Sequence, residues 1–238
     1  MARKYFNFSD VLSYGWCVMK ANLWFFVSLG LLFMIITYLP TIARFILKGM
    51  DWPKAARITA EFSLIIIGWV INITLAIGLI KIALSFCDEQ KPRIGTLFDA
   101  WGCFWRYVGA GILYTLIMLA GFVLLIVPGI IWSVKFGLCF YFVIDKGLGP
   151  IEALKASNRT TMGVKWDLFG FGIVCGLINL LGILCLLVGV FATFPMVLVA
   201  SALVYRQLLA QTPELAEFGI AAPIAAPNIE PSPNQQEF

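Results

Sequence analysis

At 238 residues, 61% of them hydrophobic and 13% charged, with a mean hydropathy of +0.92, the chain departs far from the soluble norm of roughly 45–50% apolar and about 25% charged. Uncharged runs such as 23–43 and 168–205 are too long to be hidden in a soluble core of this size, which excludes a soluble protein. Histidine is absent altogether, which removes the commonest general base, the commonest transition-metal ligand and the usual partner of a Ser or Cys nucleophile. No cofactor or metal site is expected.

Charge divides unevenly. Residues 1–210 hold all 17 Lys and Arg against nine acids, a net +8, while 211–238 hold four acids and no base, a net −4. The cations flank apolar runs instead of forming one exposed stripe, which points to anionic lipid headgroups as partners and away from nucleic acid. Six cysteines form no CxxC pair and fall mostly inside apolar runs, where they read as reduced packing residues.

Taken in chain order, the apolar runs predict an all-α, polytopic membrane bundle. A bilayer core of about 30 Å needs roughly 20 apolar residues per helix. Residues 23–43 supply one span and 62–80, extending to Cys87, a second. Residues 107–144 and 168–205 are each 38 residues long, room for two spans and almost no loop. Each reads as a tight helical hairpin, the first turning at Pro128-Gly129 and the second at Gly189. Six transmembrane helices in three hairpins result. With the N-terminus inside, twelve Lys and Arg fall on the inner side and five (Arg44, Lys48, Lys54, Arg57, Lys135) on the outer. The positive-inside rule then places both termini in the cytoplasm and the chain in the inner, cytoplasmic membrane. The first apolar run follows Lys20 and lacks a small-residue cleavage site, so it is expected to stay in the mature chain.

A short segment of mixed polarity precedes each hairpin, at 8–20, 94–106 and 151–165. The first repeats Phe8, Val11, Leu12, Trp16 and Met19 at helical spacing. The second sets Leu97, Phe98, Trp101, Phe104 and Trp105 around Asp99 and Arg106, and the third sets Ile151 and Leu154 against Glu152, Lys155 and Arg159. All three are expected to be cytoplasmic interfacial amphipathic helices, with Trp16, Trp101 and Trp105 at headgroup level. The membrane domain, 1–210, thus reads as three pseudo-repeats at about 5–90, 91–147 and 148–210. Residues 211–238, rich in Pro and Ala and acidic, are expected to be a disordered tail.

The stretch Leu124-Leu-Ile-Val-Pro-Gly-Ile-Ile131, followed by Asp145, Glu152-Ala-Leu-Lys-Ala-Ser157 and Lys165-Trp-Asp-Leu-Phe169, resembles a broad bacterial family of uncharacterised integral membrane proteins. That family is related to the membrane domain attached to some glycerophosphodiester phosphodiesterases. The resemblance covers roughly 95–210, and the first hairpin in layout only. It implies a six-helix architecture and no defined activity. Nothing in the chain resembles the phosphodiesterase's soluble barrel, and its catalytic histidines have no equivalents here.

Several residues invite a functional reading beside a structural one. Pro128 and Gly129 serve either as a simple turn or as the break of a discontinuous helix lining a cavity. Lys135 lies about 7.5 Å below the outer end of its helix. Its ammonium either snorkels outward or turns inward, where Asp51 and Glu61 are the acids on that side. Lys81 has the same two options. Asn72 and Asn179 sit near mid-membrane and suit interhelical hydrogen bonds. Gly172 and Gly176 form a GxxxG suited to close packing within the subunit or to a dimer contact. Asp145, Glu152, Asp167 and Asp99 read as solvated ion pairs at the inner face.

No catalytic constellation emerges. The expectation is a non-enzymatic membrane protein acting through lipid or protein contacts, as an assembly, insertion or envelope-maintenance factor, with a membrane-protein partner or a homo-oligomer. The competing reading is a small-molecule or lipid transporter or channel, against which stands the lack of acids well inside a span.

Overall fold

A computed structural model describes residues 5–49, 53–88, 90, 101–185, 189–218 and 220. Among them the chain is all-α: α1 (Phe8–Ala21), α2 (Leu23–Lys48), α3 (Lys54–Cys87), α4 (Trp101–Leu124), α5 (Ile126–Phe136), α6 (Cys139–Lys146), α7 (Pro150–Thr160), α8 (Lys165–Leu184) and α9 (Val190–Ala210), followed by a 3-10 turn at Pro213–Phe218. Six stretches are long and apolar enough to cross a membrane: α2, α3, Gly102–Leu124, Pro128–Lys146, α8 and α9. This is the build of a multi-pass helical membrane protein.

Local chemistry sets the helix ends. Asn7 caps α1, its Oδ1 accepting from the Ser9 amide at 3.1 Å. Gly147 closes α6 in the left-handed region at φ 63°, where a side chain would be strained. Pro150 then opens α7 at its first position, and Glu152 Oε2 accepts from the Gly149 amide at 3.1 Å. These two devices turn the chain back at once, and α7 packs against α6, α4 and α5.

Burial is concentrated around the C-terminal half of α9. Val199, Ala200, Ala202, Leu203, Val204, Tyr205, Leu208 and Leu209 are all buried there. Val199 packs with Met19, Phe26, Leu29, Leu79 and Ile82, and the others share a core with Ile77, Ala83, Leu84 and Cys87 of α3, Cys139, Phe142 and Val143 of α6, and Ala153, Leu154 and Ala156 of α7. The rest of the long helices is different in kind. Ile35, Phe45, Leu116, Val123, Leu180 and Leu184 are exposed, as apolar side chains are where lipid, and not protein, is the solvent.

Helices α1 and α7 each bury a face in protein. Val11, Gly15 and Met19 of α1 are buried against α9, and Ala153, Leu154, Ala156, Ser157 and Thr160 of α7 are buried where it packs on α4, α5 and α6. An apolar stripe fits a groove between helices as well as it fits a headgroup layer, so amphipathicity alone does not separate the two. Trp16 is half-exposed with the Lys20 ammonium 4.9 Å from its ring, and Trp105 is exposed. The middle segment corrects the expectation of a separate helix over 94–106. Residues 94–100 lie outside the described residues, and 101–106 are the first turns of α4, continuous with the span. The Trp101 side chain lies outside the described residues.

The tail also needs correction. Residues 213–218 form a turn docked on α7, with Leu215 and Ile220 buried and the Phe218 ring 5.1 Å from the Arg159 guanidinium. Two apolar anchors suffice to hold a proline-containing segment that has no periodicity. Residues 221–238 lie outside the described residues.

Gly172 and Gly176 are corrected too. Both face open space, with nothing within 4 Å of where a Cβ would stand, so they make no close packing within the subunit. The close approaches fall at other glycines. Gly182 and Gly189 meet backbone to backbone at the α8–α9 turn, Gly121 meets Gly129, and a Cβ on Gly15 would stand 2.6 Å from the Met196 carbonyl oxygen.

Candidate functional site

Polar side chains converge where α3, α6 and α9 end. Asp88 caps the C-terminus of α3, Asp145 lies in the last turn of α6, and Arg206 in the last turns of α9. The Arg206 guanidinium donates to both oxygens of Asp145, Nη1 to Oδ2 and Nη2 to Oδ1, each at 2.9 Å, and its Nη2 also donates to Asp88 Oδ2 at 2.6 Å. The Tyr205 hydroxyl donates to Asp145 Oδ2 at 2.9 Å, and the Lys146 ammonium stands 3.2 Å from the same oxygen. Carboxylates at helix C-termini oppose the helix dipole, and the planar fork of arginine is suited to offset that.

Among the described residues the cluster contains two cations and two anions, which sum to zero. The Arg206 and Asp145 side chains are only 12% and 11% exposed, so the pair is largely desolvated, not the solvated ion pair expected for Asp145. Tyr205 is sandwiched between Tyr141, stacked at 5.2 Å, and Phe142, edge-on at 5.1 Å. With both carboxylate oxygens of Asp145 engaged, the arrangement clamps three helix ends together. Arg206 is the one basic residue after Lys165. That isolation was the available sequence signal for its role.

A second polar centre interrupts the fourth span. The break falls at Gly137–Leu138, between α5 and α6, and not at Pro128-Gly129. Pro128 sits in the first turn of α5, where a missing amide costs nothing. The reversal from α4 is made by the single extended residue Leu125, at φ −167° and ψ 153°. The break frees the carbonyl of Lys135, which accepts from Ser157 Oγ at 2.8 Å and from Thr161 Oγ1 at 3.2 Å. Ser157 and Thr161 are fully buried. Hydroxyls from a neighbouring helix are the usual means of satisfying a broken membrane helix.

The contact brings Lys135, expected toward the outer end of its helix, together with α7, expected at the inner face, because the Gly147–Gly149 turn carries the end of α7 back along α6. The Lys135 ammonium lies 5.0 Å from the Phe136 ring. Glu61 is bridged instead by Arg57, one turn away at 3.8 Å, and Asp51 lies outside the described residues. Replacing Ser157 by Ala together with Thr161 by Val is expected to cost about 1–3 kcal/mol, the penalty for a buried carbonyl left unsatisfied. Thermal unfolding in detergent measures it.

The remaining expected residues do not gather at either centre. Asn72 is exposed and donates to the Gly68 carbonyl of its own helix at 2.8 Å, so it makes no interhelical bond through that amide. Asn179 has a buried Oδ1 without a hydrogen-bond partner among the described residues. Lys81 is half-buried, its carbonyl accepting from Ser85. Among the described residues no group of three His, Cys, Asp or Glu is placed to hold a metal ion.

No family model, no curated protein and no solved structure matches the chain.

Proposed function

We propose that this chain is a non-enzymatic integral membrane protein that acts through lipid and protein contacts, as an assembly, insertion or envelope-maintenance factor. The observation that carries the reading is the contrast between the two halves of the molecule. One half is tied shut around Arg206, and the other presents membrane-length helices with open apolar faces. Such a scaffold offers broad apolar surfaces for contact.

In this reading α2–α3, α4 with α5–α6, and α8–α9 are three hairpins, with α1, the start of α4 and α7 associated with the cytoplasmic interface. Both termini lie in the cytoplasm and the membrane is the inner one, from the twelve-to-five distribution of basic residues. The threefold repeat gains support from the way α1 of the first unit packs on α9 of the third, and α7 of the third on α4 and α6 of the second. The kinship with the membrane domain of some glycerophosphodiester phosphodiesterases belongs to the same proposal. Partners are anionic headgroups and a membrane protein or a second copy of the chain.

A transporter or channel is the second reading, favoured by the broken fourth span beside Lys135 and by the unpartnered oxygen of Asn179. Purified protein in proteoliposomes tests both. The first reading expects no solute or lipid flux above empty vesicles, and a membrane protein held at fixed stoichiometry in mild detergent. Flux that is abolished by Lys135→Met or Asn179→Leu overturns it in favour of transport.

A further inference from the structure

We propose that the cleft between α5 and α8 binds one anionic phospholipid, an inference that rests on the lipid-contact reading above. The cleft has a volume of about 350 Å³, at the lower end of the roughly 300–1,000 Å³ of ligand sites. Its walls are Ile130, Ile131 and Val134 of α5 and Phe169 of α8, with Lys165 and Trp166 at the start of α8.

The lining divides by chemistry as a lipid does. Four apolar side chains suit an acyl chain, and one ammonium suits a phosphate. Trp166 is 76% exposed and leans edge-on against Phe169 at 6.2 Å, the amphipathic ring expected where tail and headgroup meet. Among the described residues no carboxylate lies within ion-pair distance of Lys165. Asp167 is two residues along the helix, and residues at that spacing do not face one another. The ammonium therefore stands at the rim of an apolar cleft with its charge unmatched, and a lipid phosphate matches it. A neutral lipid fills the walls equally well but brings no net charge to the rim.

The experiment uses the full chain in phosphatidylcholine nanodiscs holding a minor fraction of phosphatidylglycerol. Either lipid carries a photoactivatable diazirine on its acyl chain in separate runs, and crosslinks are mapped to peptides. Phosphatidylglycerol is expected to label 130–134 and 165–169 about fivefold over its share of the bilayer, the preference one Lys confers near a membrane surface. The exposed face of α2 is expected to be labelled in proportion to composition. Lys165→Gln should abolish the preference, Lys165→Arg should keep it, and Val134→Trp, which fills the cleft, should remove labelling by both lipids. A wild-type cleft labelled in proportion to composition, a preference equally strong on α2, or one that survives Lys165→Gln overturns the proposal. So does competition by free glycerol phosphate, which would make the site one for a soluble phosphate. Flux in proteoliposomes would defeat the broader reading without altering this labelling pattern, so the two fail separately.

Discussion

Replacing Arg206 by Met is expected to destabilise the protein by about 3–5 kcal/mol, because it strands a desolvated carboxylate that cannot leave the interface of three helix ends. Asp145 loses both bonds of a bidentate fork and keeps only Tyr205 and Lys146. Asp145→Asn is expected to be severe for the same reason, with Arg206 left to Asp88. The two changes share one interaction, so a double-mutant cycle on thermal unfolding should show coupling well above 1 kcal/mol. Asp88→Asn provides the contrast. Its carboxylate is 37% exposed, and screened pairs contribute about 0–1 kcal/mol. Coupling near zero between Arg206 and Asp145 would show that the clamp does not hold the helices.

The second large effect is at Gly15. Its missing Cβ leaves room for the Met196 carbonyl oxygen at 2.6 Å and for Ala200 Cβ at 3.3 Å, and the nearer of the two is α9 backbone with no freedom to move aside. Gly15→Ala should therefore cost about 1–3 kcal/mol by overpacking and should loosen α1 from α9. The same substitution at Gly172 meets nothing, and there alanine's better helix propensity should gain up to about 1 kcal/mol. Opposite signs for one chemical change, read by thermal unfolding in detergent, separate a packing glycine from an open one.

These two sites show what the sequence discloses and what it hides. The long helices were legible because a membrane demands some 20 apolar residues and tolerates few charges within them, so α2, α3, α8 and α9 appear near where the uncharged runs lie. The reversal between α8 and α9 was marked by Gly189 in the same way. Pairing was not legible. Arg206, Asp145 and Asp88 are 118 residues apart at the extreme, and nothing local distinguishes a carboxylate facing a guanidinium from one facing water. The GxxxG at Gly172 and Gly176 misled because the motif records small side chains and not a neighbour, whereas Gly15, in no motif, has one. The break at Gly137–Leu138 was hidden behind Pro128-Gly129. Proline and glycine announce breaks, but proline at the start of a helix is compatible with continuing it. Leu215 and Ile220 were lost in a proline-containing tail because two anchors make no pattern.

The central claim is that the ends of α3, α6 and α9 meet at one membrane face, since Arg206 touches both Asp88 and Asp145. Labelling with a membrane-impermeant maleimide tests it most directly, using single cysteines in chains whose other native cysteines are replaced by Ala. Cysteines at Gln90 after α3, at Lys155 of α7 after α6, and at Ala210, the last residue of α9, should all react from the cytoplasmic side only. One at Pro53, between α2 and α3, and the native Cys185, between α8 and α9, should react from the opposite side only. Labelling of Gln90 and Ala210 from different sides would contradict the account.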